Sequence, residues 1–310
     1  MGTGTSPELV AAVSAAGGLG TLGLASRPAN EIPGLVEQIR ARTSNPFGLN
    51  FLLFSVNDAA FEAALATKPP VVSFAWPWPE QDLAAYVARA HAAGAVVTHM
   101  VSGVPDAIRA ARAGADVIIA QGSEGGGHVG LMGTLPLVPM VVSAVAPVPV
   151  LAAGGIADGR GLAAALALGA EGVLLGTRFL ATDEAPLHPN FKQAIVNSDG
   201  HDTELTEIPD IASGSVWPGA FSRVRRNAFV AEWSGRENEL RKRRAEVARG
   251  VVQSRAAGDA DHTPLFFGQD AGLIDSVLPA GEVIRRMVAE AEGIIRDRLT
   301  GYLDLRVGIP

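Results

Sequence analysis

The sequence predicts an α/β protein whose parallel sheet follows a TIM-type (β/α)8 plan with its first strand lacking or truncated, then an irregular and helical insertion and a C-terminal helix. Three observations predict it. Short β-rich runs alternate with Ala-rich helical runs through the first two-thirds of the chain, the pattern of a parallel sheet covered by helices. Gly-Ala pairs follow the helical runs at Gly94-Ala95, Gly114-Ala115 and Gly169-Ala170, where a helix C-terminus favours a left-handed residue. With 310 residues, 48% of them hydrophobic and 18% charged, the chain can bury a substantial core.

The strands are expected at 20–25, 47–54, 71–76, 95–101, 116–121, 148–153 and 172–179, with helices such as 7–16, 81–93, 105–113 and 159–168 between them. The first helix has no strand before it, so the count is one short of eight. The absent strand would lie upstream of Met1. Beyond Phe179 the pattern breaks: 183–235 is rich in Pro, Gly, Asp and Ser, and a charged helical stretch runs over about 236–255. The expected organisation is a barrel from 1–182 and 260–310, with 183–259 inserted as a lid or small subdomain. A last helix at 281–303 carries Ile284, Met287, Val288, Ala291, Ile295 and Leu299 as a stripe that should pack on the outside of the barrel.

Composition narrows the function. A net charge of -7 argues against a nucleic-acid footprint and favours a small-molecule partner. The basic run Arg241 to Arg244 is interleaved with Glu237, Glu239 and Glu246 at helical spacing, which reads as a solvated face. Without cysteine there is neither a disulfide framework nor a thiolate metal site, and no metal is expected. No signal-like N-terminus and no bilayer-length apolar run is found, so the reading is cytoplasmic, without membrane association, with a homodimer as one possible assembly.

The stretch A-Q-G-S-E-G-G-G-H-V-G, 120–130, places consecutive glycines and His128 at the end of a strand. Glycine there signals close approach of something to the backbone. Two matches to G-x-G-x-x-G are decoys. Gly18, Gly20 and Gly23 lead from helix into strand, the wrong order for a dinucleotide, and after Gly125, Gly127 and Gly130 the residues Pro136 and Pro139 should delay any helix. The better phosphate site is a pair of neighbouring strand ends, Gly154-Gly155 and Gly176-Thr177, where amides and the Thr177 hydroxyl could face a phosphate. Asp158 reads as a helix cap. Asn50 lies inside an apolar strand, with a hydrogen bond inside the barrel and contact with a polar ring edge as equal alternatives. Phe74, Trp76 and Ser123 are candidate pocket walls, Trp76 within the stiff run W-P-W-P. His99 reads as a core residue and His91 as an exposed helical one.

E-L-V-A-A-V-S-A-A-G-G-L-G-T-L-G, F-G-L-N-F, A-Q-G-S-E-G-G-G-H-V-G, A-A-G-G-I-A-D-G-R-G and V-L-L-G-T-R-F-L together cover nearly the whole chain. On these segments the sequence resembles the nitronate monooxygenase family, once called 2-nitropropane dioxygenases, and more distantly the flavin-dependent enoyl-ACP reductases. The resemblance implies a TIM barrel that binds FMN noncovalently, with the phosphate at Gly155, Gly176 and Thr177 and Gly154 also on the cofactor. It implies flavin contacts from Asn50, Gln121, Gly126 and the backbones of Leu174 and Leu175, and makes His128 the catalytic histidine. Met1 and Gly2 match the end of a family strand that lines the flavin.

An imidazole over the flavin can accept a proton from a carbon beside a nitro group. The activity implied is oxidation of nitronates by O2 to a carbonyl compound and nitrite, with FMN carrying the electrons. The family's flavin-side tyrosines are not matched: the two tyrosines here are Tyr86, in a helix, and Tyr302, near the C-terminus. Two alternatives stand beside this reading. One is an NADH-dependent FMN reductase of quinones or enoyl thioesters, the other a flavin-binding barrel without turnover.

Overall fold

The computed structural model describes residues 4–301. Its strands are β1 Gly20–Gly23, β2 Phe47–Leu52, β3 Val71–Ala75, β4 Val96–Val101, β5 Val117–Gln121, β6 Gly127–Val129, β7 Val150–Ala153, β8 Gly172–Leu174, β9 Thr203–Thr206 and β10 Phe221–Arg225. Seven form one sheet in the order β1-β2-β3-β4-β5-β7-β8, every neighbouring pair parallel. The remaining three make a small antiparallel sheet, β6-β10-β9.

Alternation along the strands divides the large sheet into two faces. Register pairs Asn50 with Ser73 and Ser73 with Thr98, and the same inner face carries Ile119, Gln121, Ala153 and Leu174. The outer face carries Leu22, Leu49, Val72, Phe74, Val97, Ile118 and Ala152, which form the main core with the covering helices. Both faces of the strands are buried and uncharged, which explains the nearly continuous apolar runs in the sequence, broken on the inner face by Asn50, Ser73, Thr98 and Gln121.

The sheet is curled. Among the described residues β1 and β8 do not pair with each other, yet the helices around them close a ring. The helix Ala280–Gly293 packs on both Gly159–Ala167 and Pro7–Ala15, and Glu290 accepts a hydrogen bond from the Gly159 amide at 2.8 Å. Residues 4 and 5 lie between the two sheet edges. The Thr5 hydroxyl accepts from Gly23 N at 2.8 Å, and Gly4 lies against Leu180.

Three expectations need correction. Pro136 and Pro139 do not delay a helix: Thr134–Val145 contains both. Pro136 falls in the first turn, where no amide donor is required, and only Pro139 removes an internal bond. Strand β8 stops at Leu174, and Thr177–Leu180 is already a helical turn. In the last helix the buried line is Val283, Met287 and Ala291, whereas Val288, Ile295 and Leu299 are exposed. Spacing of four rather than an even stripe defines the seam against the neighbouring helices.

The stretch read as irregular contains order of its own. Helices Pro189–Val196, Ile208–Ser213 and Ala228–Trp233 accompany β9 and β10, and a second core gathers Ile208, Val224, Phe229, Val230, Trp233 and Leu240. Since β6 comes from the glycine-rich stretch after β5, the small sheet joins that stretch to this second core.

Candidate active site

His128 sits in the middle of β6, directly opposite Ser222 of β10. Its Nε2 lies 2.8 Å from Asp210 Oδ1 and 3.0 Å from Ser222 Oγ, while Ser222 Oγ donates to Asp210 Oδ2 at 2.8 Å. Ser222 is fully buried, and the His128 and Asp210 side chains are each only 12% exposed. Asp210 is brought in by the helix Ile208–Ser213, whose end is fixed by the left-handed Gly214 donating to the Asp210 carbonyl at 2.7 Å.

Aromatic rings surround this cluster. The indole of Trp217 stacks on the imidazole, Phe266 lies 5.8 Å from it, and Phe54 and Trp76 pack on Trp217 at 4.5 and 6.2 Å. Trp76 directly follows β3 and has φ 55, an unusual conformation for a residue with a side chain and one concentrated at functional sites. Phe54 N donates to Trp76 O, joining the ends of β2 and β3 at this mouth.

A second group of polar atoms faces the same end of the sheet. Gln121 is the last residue of β5, and its Oε1 is buried with no hydrogen-bond partner among the described residues. Asn50 holds Ser73 through its amide nitrogen at 3.3 Å, and its carbonyl oxygen has no partner among the described residues. Beyond β7 and β8, the amides of Gly155, Gly176 and Thr177 donate no hydrogen bond within the described residues. Gly154 and Gly155 turn there with φ 93 and 74, and no atom lies within 4 Å of where a Gly176 side chain would start. Free donors at adjacent strand ends, with orphan acceptors nearby, suit a phosphorylated planar heterocycle.

The sequence-derived residues divide accordingly. Gln121 and Leu174 end β5 and β8, Gly154, Gly155, Leu175, Gly176 and Thr177 follow just beyond β7 and β8, Asn50 lies within β2, and Trp76 reaches the His128 cluster through Trp217. The Thr177 hydroxyl is turned elsewhere, accepting from Gly268 N at 2.9 Å. Phe74 is a correction: it points to the outer face, fully buried against Phe61 and Tyr86, because it alternates with the inward Ser73. Ser123 is held by its backbone, with Met132 O accepting from its amide and its carbonyl accepting from Arg223 Nε. Gly126 is crowded, since a Cβ would come within 2.5 Å of the Phe267 and Gly268 backbone. Met1 and Gly2 lie outside the described residues.

Asp210, Trp217, Ser222, Phe54 and Phe266 were not singled out by sequence. Asp210 is 82 positions from His128, a distance at which no spacing rule operates. Only Trp217, an aromatic directly before a Pro-Gly pair, carried a usable signal.

The nitronate monooxygenase family model matches residues 1–64 and 54–290. The chain belongs to the nitronate monooxygenase family. It is an oxidoreductase enzyme of a family whose members are flavoenzymes. Probable nitronate monooxygenases of Staphylococcus aureus are 29% identical, with 96% of this chain and 94% of the relative covered. A hydroxy-methyl-oxo-octahydro-indene-carboxyl-CoA dehydrogenase of Rhodococcus jostii is 41% identical over 212 residues. That match covers 68% of this chain and only 58% of the relative. FabK from Thermotoga maritima superimposes with a TM-score of 0.86 at 36% identity, covering 97% of this chain and 93% of FabK. A nitroalkane oxidase from Streptomyces ansochromogenes gives 0.81 at 29%, with 94% and 93% covered. No helix among the described residues is long and apolar enough to cross a membrane.

Proposed function

We propose that this nitronate monooxygenase family member binds FMN and oxidises nitronates and their parent nitroalkanes with O2, giving a carbonyl compound and nitrite. The observation that carries the reading is the placement of His128 among aromatic rings a few residues beyond β5, together with the free amides beyond β7 and β8 and the orphan Gln121 oxygen at the end of β5. The fold reading that accompanies it is a TIM barrel, with the gap between β1 and β8 as the place of an eighth strand and residues 183–259 as its lid.

The amides of Gly155, Gly176 and Thr177 would hold the flavin phosphate, with Gly154 and the backbones of Leu174 and Leu175 beside it. Gln121 and Asn50 would meet the polar edge of the ring, and Gly126 would border it. When bound, FMN supplies the electron acceptor. His128 takes the proton from the carbon next to the nitro group. The C–H bond breaks, its electron pair passes onto the nitro oxygens, and a new N–H bond forms on the imidazole. Phe54, Trp76, Trp217 and Phe266 keep water from this carbon and carry no charge that would compete for the anion.

A second reading has its own support. The CoA-thioester dehydrogenase at 41% identity and FabK at 36% support the alternative of an NADH-dependent FMN reductase of enoyl thioesters, in which proton transfer would be at a carbon beside the thioester carbonyl. The same histidine would serve both reactions.

Flavin released by heating should be FMN and not FAD. Anaerobic addition of a nitronate should reduce the bound flavin faster than NADH does. His128→Asn should retain flavin and lose turnover of the neutral nitroalkane by roughly 10²- to 10⁴-fold. Rapid reduction by NADH, with no response to nitronates, would select the thioester reading instead.

A further inference from the structure

We infer that Asp210 and Ser222 are positioning residues that hold His128 in the tautomer protonated at Nε2, so that the ring exchanges its catalytic proton at Nδ1. The argument starts from who can donate. An ionised carboxylate only accepts hydrogen bonds, so both oxygens of Asp210 need donors. Ser222 has one hydroxyl proton, and it points to Asp210 Oδ2 at 2.8 Å. What Ser222 offers His128 across 3.0 Å is therefore a lone pair. Asp210 Oδ1, 2.8 Å from the same Nε2, also offers a lone pair. Two acceptors converge on Nε2, and the proton must sit there. Nδ1 keeps its lone pair, and no described residue hydrogen-bonds to it.

Burial makes the choice of nitrogen consequential. Ser222 is fully buried and the Asp210 side chain only 12% exposed, so the two acceptors hold the Nε2 proton on the protein's side of the ring and leave the other nitrogen to turn over. Trp217 covers a face of the ring with centroids 3.4 Å apart. The edge bearing Nδ1 is what remains for substrate. When that edge takes a proton from carbon, the ring becomes a cation already paired with Asp210, which stabilises it without moving. In the reverse direction the same proton leaves from Nδ1, on the side from which it came.

The tautomer itself does not depend on the identity of the substrate, while the claim that Nδ1 meets substrate rests on the proposed function. The two can therefore be tested apart. Protein labelled with ¹⁵N-histidine, loaded with FMN and held in mildly alkaline buffer, is examined by long-range ¹H–¹⁵N correlation, with His128→Gln identifying the His128 signals among the six histidines. The expected pattern is that of a neutral ring protonated at Nε2. Asp210→Asn should bring in the Nδ1-protonated form and cut turnover by about 10²- to 10⁴-fold, as loss of the correct tautomer does in other acid–base sites. Ser222→Ala leaves the carboxylate and should keep the Nε2 form, with a smaller loss. An Nδ1-protonated ring in the wild-type protein would overturn the inference by itself, even if Asp210→Asn fails to fold. So would an Asp210→Asn protein with unchanged tautomer and turnover. The predicted tautomer in a protein inert to nitronates would leave the inference standing and remove the nitronate reading.

Discussion

The indole of Trp217 lies almost flat on the imidazole of His128, with centroids 3.4 Å apart and planes inclined by 12°. Phe54 braces the indole at 4.5 Å and Trp76 meets it edge-on at 6.2 Å. Trp217 thus orients the imidazole from a segment bounded by the left-handed Gly214 and Gly219. Replacing it with Leu should remove an aromatic pair worth about 0.5–1.5 kcal/mol. If that contact orients the base, kcat/KM should fall by roughly two- to tenfold, and Trp217→Phe should recover most of it. Steady-state kinetics on the two variants check this, and equal rates in both would separate the stack from catalysis.

Gly126 and Gly127 stand side by side but should fail differently. A Cβ at Gly126 meets backbone of Phe267 and Gly268 at 2.5 Å, atoms that cannot swing aside. Gly126→Ala should destabilise the protein by about 1–3 kcal/mol and pull the 266–269 segment off the glycine run, weakening flavin retention as well. Gly127 has open space but φ 82. Gly127→Ala should cost about 1–2 kcal/mol through backbone strain and leave that packing intact. Denaturant unfolding beside flavin titration distinguishes the two.

Those glycines also mark where sequence was legible and where it was not. The βα register could be read because Gly94, Gly114 and Gly169 take positive φ at helix ends for reasons local to the chain. His99 and Asp158 could be placed as core residue and helix cap on equally local grounds. The glycine run was read as room for a ligand, and a side chain at Gly126 would also meet the Phe267 backbone, as one at Gly154 would meet the Gly122 carbonyl. A glycine reports close approach and says nothing of what approaches. Phe74 and Ser73 are adjacent and face opposite ways, so choosing a pocket residue required the strand's phase and not only its position. Asp210, Ser222 and Trp217 reach His128 only because β10 pairs with β6, and that pairing leaves no trace in spacing along the chain.

His99 is buried on the outer face of β4, and burial, with a smaller push from Arg109, lowers its pKa from 6.5 to about 3. The folded protein therefore keeps this ring neutral where the unfolded chain binds a proton. Stability from this site should be complete above pH 6.5 and fall as pH drops toward 3. The slope is at most about 1.4 kcal/mol per pH unit. His99→Leu should flatten that part of the urea midpoint against pH, and an unchanged slope would assign the acid sensitivity to other groups.

Asp270 should act with the opposite sign. It packs beside Thr177, just beyond β8, and its Oδ1 is buried with no partner among the described residues. Burial raises its pKa from 3.8 to about 7, against smaller downward pulls from the Thr177 hydroxyl, its own backbone amide and Arg178. Between those two values the folded protein holds a proton that the unfolded chain has released, so stability falls as pH rises through the window and levels off above it. An ionised Asp270 would also repel a phosphate held by the Thr177 amide. Asp270→Asn stays neutral at every pH. It should raise the melting temperature above pH 7, leave it nearly unchanged near pH 4, and slow the loss of FMN on the alkaline side. Thermal scans and flavin fluorescence across this range check both halves. A variant no more stable than the parent at alkaline pH would mean that the carboxyl is ionised and solvated in the folded protein, and that its surroundings tolerate its charge.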